Sequence, residues 1–298
     1  MDYKDHRKKL KEQEEKDEKE EQDKNISKEF PTILRVKDPE NLKIKPCHPH
    51  LPEPPACLLV VGPVKTGKTT LISNLLLSPL CYGKDYFDRV VIVSNTICND
   101  ITGRFLLKAF ECHNIYNDEI ILNILKDQEK DGEENEEGEK ENRKDVCIIF
   151  DDIMGSLKQT AVANFIASRF RHYNIKLLVY SVQNFRGISC VVRQNVTDLI
   201  VLSPFPNQKE LQEKIFMEYG DLYGDPRTME KIYRIATPHR HDFLYCKLGE
   251  NPAQAFHNFE YQIAEGGNIL TNKEVKMSDD EDNNDSGSDM DFDDDCKK

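Results

Sequence analysis

No apolar run in this chain of 298 residues approaches the roughly 18–20 residues of a membrane-spanning helix. The longest are short, such as Cys57 to Val61 and Val146 to Phe150. The N-terminal stretch passes from Met1-Asp2-Tyr3-Lys4-Asp5 into alternating lysine and glutamate. It lacks the apolar core of a secretory leader, so secretion is not expected. Paired cysteines are missing too. The nine cysteines include no CxxC pair, and Cys57 and Cys147 sit inside strand-like apolar runs. That usage fits free thiols in a reducing, intracellular compartment. Cys47-His48-Pro49-His50 has no second ligand pair at zinc spacing, and it reads as a proline-rich linker.

An excess of positive charge is also lacking. With 41 basic and 54 acidic side chains the formal net charge is −13, which at first sight repels nucleic acid. The deficit is confined to appendages. Residues 1–28 carry nine basic and ten acidic groups, residues 126–145 five and ten, and residues 273–298 four and eleven. The other 224 residues hold 23 of each sign. The body of the protein is neutral.

Composition divides the chain accordingly. Residues 1–28 read as a solvated helix or disordered tail. Residues 29–56, with Pro31, Pro39, Pro46, Pro49, Pro52, Pro54 and Pro55, form an extended lead-in. Residues 57–272 are one domain, interrupted by an acidic surface loop at 126–145. Residues 273–298 end in an Asp- and Ser-rich tail expected to be disordered.

Within 57–272, short apolar strands alternate with amphipathic helices. Strands are predicted at Leu58–Val61, Val90–Ser94, Val146–Phe150, Leu177–Val182 and Leu199–Leu202. Helices are predicted at Lys68–Leu77, Thr102–Phe110 and about Lys158–Phe170, and again near Gln208–Tyr219 and Thr228–Ile235. Continuous apolar strands divided by helices indicate an α/β fold, a mostly parallel sheet covered on both faces.

Gly62-Pro63-Val64-Lys65-Thr66-Gly67-Lys68-Thr69 matches G-x-x-x-x-G-K-[ST] at every position. It follows an apolar strand and opens a helix, the context this phosphate-binding motif needs. Its glycines let backbone N–H groups turn inward on a phosphate, and the helix start adds a positive dipole end. ATP is the expected ligand of the loop through Thr70. Lys68 reaches the β- and γ-phosphates, and the Thr69 hydroxyl sits on Mg²⁺. Val146–Phe150 then runs into Asp151-Asp152. A carboxylate at the carboxyl end of a parallel strand faces the ligand crevice. Asp151 is the expected Mg²⁺ partner, and Asp152 is placed to orient or deprotonate the attacking water. The Leu177–Val182 strand ends in Gln183. If it lies between the phosphate-loop strand and the acidic strand, its amide can sense the γ-phosphate. Such a polar-tipped extra strand distinguishes motor-type ATPases from simple kinases and GTPases.

No acidic residue occurs from Ile153 to Thr197, whereas Lys158, Arg169, Arg171, Lys176, Arg186 and Arg193 do. Such a stretch suits a phosphate, on a neighbouring subunit's nucleotide or on a DNA backbone.

Taken together, these residues resemble the packaging ATPases of large DNA viruses, the poxvirus-type group of the FtsK–HerA division. Relatives of that group occur in virophages and large self-synthesising transposons. The resemblance spans about residues 56–205. It is carried by Gly62–Thr70, Tyr86-Phe87-Asp88 before Val90–Ser94, Asp151-Asp152, Arg171-His172-Tyr173-Asn174-Ile175, Gln183 and Arg193-Gln194-Asn195. It implies an ATP-driven homo-oligomeric ring, a hexamer, that pumps double-stranded DNA into a capsid at a virus assembly site. In such rings an arginine reaches the neighbour's γ-phosphate, and Arg171 and Arg193 are the candidates. The acidic tail is a candidate contact for capsid protein. The alternatives are a nucleotide-switched interaction protein and a P-loop kinase, although no arginine-rich lid for a kinase is evident.

Overall fold

The computed structural model describes residues 45, 47–99, 101–130, 143–153 and 161–270. All of them fall within one compact unit that begins at Lys45. The first elements are β1 (Ala56–Val61), α1 (Lys68–Leu77), β2 (Arg89–Ser94), α2 (Gly103–Ala109) and β3 (Glu111–His113). There follow α3 (Asp118–Lys130), β4 (Val146–Asp151), α4 (Ala161–Arg169), β5 (Ile175–Val182), α5 (Cys190–Gln194) and β6 (Asp198–Leu202). Helix α6 opens over Gln208–Glu210, widens into π-helical turns over Leu211–Phe216 and closes over Met217–Tyr219. The chain ends in α7 (Pro226–Ala236), β7 (Phe243–Lys247), β8 (Gln254–His257), β9 (Tyr261–Glu265) and β10 (Asn268–Ile269).

One ten-stranded sheet runs in the order β10-β9-β8-β7-β6-β1-β5-β4-β2-β3. The six strands from β6 to β3 are parallel, and β7 to β10 extend the β6 side as an antiparallel meander. The expected α/β sheet is therefore present, with β5 between β1 and β4. Every residue of β1 and β4 is buried, as strands covered on both faces require.

Strand alternation sorts side chains into two cores. Cys57, Leu59 and Val61 of β1 pack with Ile121, Ile124 and Leu125 of α3, Ile166 of α4, Ile215 of α6 and Ile232 of α7. Ala56, Leu58 and Val60 face the other way, against Leu71, Ile72, Leu75 and Leu76 of α1 and Leu106 of α2. Helix α7 starts cleanly because Asp225 accepts from the Thr228 N–H at 2.7 Å and Pro226 occupies the first turn.

Helices α3 and α5 and strands β3, β7, β8, β9 and β10 were not among the helices and strands expected from the sequence. Residues 126–130 of the acidic stretch belong to α3, residues 131–142 lie outside the described residues, and Gln128 Nε2 donates to Lys144 O at 2.7 Å. The tails at 1–28 and 273–298, most of the lead-in, and Lys158 also lie outside the described residues. Among the described residues no helix is long and apolar enough to cross a membrane.

Candidate active site

Four parallel strands deliver polar groups to one edge of the sheet. Strand β1 ends at Val61 and turns at Gly62, whose N–H donates to Val182 O of β5 at 3.0 Å. A Cβ on Gly62 would lie 2.6 Å from Thr66 Oγ1 and 3.0 Å from Leu202, so only glycine fits. Lys65 (φ 65°) and Gly67 (φ 100°) adopt left-handed backbone, which lets the loop from Gly62 to Thr69 curl before α1 begins. The loop is braced by Thr66 Oγ1, which donates to Pro63 O at 2.8 Å. Within the curl, Lys68 Nζ donates to Gly62 O at 2.8 Å and Pro63 O at 3.1 Å. The Lys68 ammonium is thus held in the mouth of the loop. Burial lowers its pKa, while the Asp152 and Asp151 carboxylates oppose that shift. Val64, Lys65, Thr69 and Thr70 line the same cleft, which has a volume of about 1220 Å³.

Asp151, at the end of β4, is 5% exposed. Its Oδ2 accepts from Ser94 Oγ of β2 at 3.1 Å. Its Oδ1 and the Ser181 hydroxyl, which sits opposite it in register on β5, are buried without a hydrogen-bond partner among the described residues. Burial raises the Asp151 pKa, the nearby Ser181 and Ser94 hydroxyls oppose the rise, and the adjacent Asp152 charge adds to it. A buried carboxylate oxygen left unpaired is costly unless a ligand satisfies it. Mg²⁺ is a hard cation that takes one or two carboxylates and completes its shell with phosphate and water. An orphan carboxylate oxygen in the cleft that Thr69 lines fits that need. No cluster of three His, Cys, Asp or Glu side chains able to hold a metal by themselves occurs among the described residues.

Asp152 turns out of the strand with φ 56°, a left-handed conformation that Asp tolerates better than most residues. Its N–H donates to Ser181 O at 3.1 Å, and its Oδ2 accepts from Gln183 Nε2 at 2.5 Å. Asp152 and Gln183 therefore meet at the ends of neighbouring strands, and both line the cleft with Lys68 and Asp151.

The two arginines lie elsewhere. Arg171 occupies the short 3₁₀ turn Phe170–Tyr173, before the first residue of β5. Gln183 follows that eight-residue strand, so about 25 Å separates the two at 3.3 Å per residue. Arg171 is exposed, rests on the Phe170 ring at 5.4 Å and makes no ion pair among the described residues. Asn174, next to it, donates through Nδ2 to Lys144 O at 2.9 Å and Asp145 Oδ1 at 3.0 Å, pinning the starts of β4 and β5 together. Arg193, on α5, is engaged within the chain. Its Nε donates to Glu218 Oε1 at 2.7 Å and its Nη1 to Ile188 O at 2.7 Å, and its guanidinium lies 5.2 Å from the Phe185 ring centre. The cationic stretch is partly neutralised as well, since Lys176 pairs with Asp145 at 3.8 Å.

His241, absent from the sequence-based candidates, comes to the phosphate loop from the turn before β7. Its Nδ1 donates to Thr66 O at 3.2 Å from a left-handed backbone (φ 75°). Antiparallel pairing of β6 with β7 brings it there across 175 positions, and no local motif announces that. Ser94 and Thr96 are further additions. Both are small polar residues at the end of β2, with hydroxyls 3.4 Å apart.

No protein-family model matches the chain, and no curated protein matches it. Among solved structures it is similar to the genome packaging NTPase B204 of Sulfolobus turreted icosahedral virus 2 in complex with sulfate. That match has 15% identity and a TM-score of 0.48, covering 67% of this chain and 95% of that one. It is also similar to B204, the DNA-packaging ATPase from Sulfolobus turreted icosahedral virus, at 16% identity and a TM-score of 0.48, covering 68% and 97%. A third similar structure is EssC (ATPases 2 and 3) from Geobacillus thermodenitrificans, at 15% identity and a TM-score of 0.46, covering 75% and 42%.

Proposed function

We propose that this protein hydrolyses ATP to translocate double-stranded DNA, packaging a viral genome into a capsid as a homo-oligomeric ring of six subunits. The observation that carries the reading is the polar-tipped strand β5, inserted between the phosphate-loop strand and the acidic strand, with Gln183 joined to Asp152 at 2.5 Å. The resemblance of residues 56–205 to viral packaging ATPases supplies the DNA and the ring.

The residues divide the work as follows. The loop from Gly62 to Thr70 wraps the phosphates with its N–H groups. Lys68 exchanges the carbonyls of Gly62 and Pro63 for the β- and γ-phosphate oxygens. Because its ammonium is already in the loop, little ordering is left to complete on binding. Thr69 and Asp151 would hold Mg²⁺, which when bound neutralises charge on the β- and γ-phosphates. Asp152 orients the attacking water and draws its proton. Gln183 donates to the Asp152 carboxylate when no γ-phosphate is present. It can turn to a γ-phosphate oxygen when one arrives, so hydrolysis changes the partner of a strand-end amide.

The arginines take different parts. Arg171, about 25 Å from its own Gln183 along β5, serves a neighbour's γ-phosphate across the ring. Arg193, bound to Glu218 and Ile188 O, positions the crossover from β5 to β6 instead. The acidic tail contacts capsid protein, and the chain works in a reducing compartment at the site of virus assembly.

Steady-state hydrolysis tests the reading. Double-stranded DNA should raise the ATP turnover of the assembled protein, and Lys68→Ala should abolish it. Equal turnover with and without DNA would leave the motor reading without support. Turnover too slow for a motor in both conditions would favour a nucleotide-switched interaction protein.

A further inference from the structure

The cleft is larger than a triphosphate needs. At about 1220 Å³ it exceeds the roughly 300–1,000 Å³ usual for small-molecule sites, and its lining is mixed in chemistry. Lys68, Asp151, Asp152 and Gln183 make part of it polar. Elsewhere the cleft is lined by His48 and Leu51 of the lead-in, Leu80 and Cys81 after α1, and Asn258, Phe259 and Glu260 of the turn between β8 and β9. These residues lie outside the phosphate-loop motif and its partner strands.

His241 touches the phosphate loop at Thr66 O. Phe243 follows two residues later, at the start of β7, and its ring centre lies 5.0 Å from that of Phe259. Phe259 and the phosphate loop thus line one cleft, linked through the segment from His241 to Phe243. Phe259 is half-buried and packed edge-on against Phe243 and Tyr245. The turn that carries it is fixed. Asn258 (φ 52°) accepts through Oδ1 from Phe243 N at 3.0 Å, and His50 Nδ1 donates to Phe259 O at 3.0 Å. The lead-in is tied to the sheet by Lys247 Nζ, which donates to Pro49 O at 2.6 Å.

We infer that the part of the cleft lined by Phe259 is a nucleobase subsite, in which the heterocyclic base of the nucleoside triphosphate stacks on Phe259 between the lead-in and the antiparallel part of the sheet. The inference rests on the phosphate site proposed above. The Asn258 carbonyl oxygen is already engaged with the backbone, so the subsite holds the base mainly through ring stacking and apolar contact. Base–aromatic stacking is strong enough to matter for affinity and tolerates different bases.

The test compares ATP with inorganic tripolyphosphate, which has the phosphates but no base, by titration calorimetry on the full chain. Phe259→Ala should weaken ATP binding by about tenfold and leave tripolyphosphate binding within about twofold of wild type. Retained tripolyphosphate binding also shows that the variant is folded. Phe259→Leu, which keeps apolar packing against Phe243 and Tyr245 but removes the ring, should behave in the same way. It decides the matter should the alanine variant not fold. The base subsite is overturned if ATP affinity is unchanged in the leucine variant, or if ATP and tripolyphosphate weaken equally in it. A wild-type protein that binds neither ligand overturns the phosphate site, and the base subsite with it.

Discussion

The parallel and antiparallel parts of the sheet are built from similar apolar strands, yet they carry different residues at their exits. Strands β1, β2, β4 and β5 run in one direction, so their carboxyl ends gather at a single edge. There Gly62, Ser94, Asp151, Asp152 and Gln183 converge within one network of contacts. In β7 to β10 neighbouring strands alternate in direction, so no edge collects all their exits. This part lines the cleft with Phe243, Asn258, Phe259 and Glu260, and Phe243, Tyr245, Phe256 and Phe259 form a ring cluster behind it. Strand polarity thus decides which part can concentrate charge and which can only offer a surface. The reactive groups belong to the parallel part, and the antiparallel part covers one side of the cleft and sends His241 to the phosphate loop.

Substitutions can break this division, beginning with the largest effect. Asp152→Asn keeps the shape and the Gln183 contact but removes the anion. Hydrolysis should fall by about 10²–10⁴-fold with ATP affinity little changed, and a fall in affinity without loss of turnover would mean that Asp152 only binds. Arg171→Ala should lower turnover by about 10³-fold without altering the melting temperature. Mixing it with Lys68→Ala protein should restore part of the activity, because each subunit type supplies what the other lacks. If mixing restores nothing, Arg171 does not act across subunits.

Arg193 lies in the same basic stretch and is predicted to behave differently. Its pair with Glu218 has side chains 20% and 31% exposed, so solvent screens it and a modest value applies. Arg193→Ala should destabilise the fold by about 1 kcal/mol, readable as an earlier denaturant midpoint. Glu218→Gln should do much the same, and turnover should survive in both. A stable Arg193→Ala protein without turnover would exchange the roles assigned to the two arginines.

The smallest effect concerns the seam between the two parts. Asp198 begins β6, pairs in register with Leu58 of β1 and Lys247 of β7, and accepts from Tyr245 OH and Thr197 Oγ1 at 2.7 Å each. Burial raises its pKa from 3.8 to about 6, against the lowering effect of those two donors. A carboxyl with a raised pKa binds its proton more tightly in the folded state. Its contribution is therefore complete below about pH 4 and lost as pH rises through about 6. Asp198→Asn should flatten that part of the stability profile measured by denaturant titration. An unchanged slope would show that Asp198 does not titrate at the seam.

The parallel part was the more legible in sequence, for physical reasons. Its strands are buried on both faces, so they appear as continuous apolar runs, and the phosphate loop needs glycine at 62, where a Cβ would collide, and favours it at 67, where the backbone is left-handed. Helix α3 was hidden because its buried face is short, Ile121, Ile124, Leu125 and Gln128 with Ile120 at its margin, and its charged last turn merges with the acidic run that follows. Strands β3 and β10 span three and two residues, too few to show alternation. His241 and Phe259 reach the cleft through strand pairing alone, so neither their neighbours nor their spacing marks them. The positions of Arg171 and Arg193 were likewise settled by the fold, since equal charge in a basic stretch carries no information about which guanidinium has a local carboxylate.

ATP-driven displacement of a third strand from a DNA triplex measures translocation itself. The account predicts that the wild-type protein strips the third strand when ATP is present. It should not do so with a non-hydrolysable analogue, and Lys68→Ala should not do so at all. Vigorous ATP hydrolysis on the same DNA with the third strand left in place would contradict it.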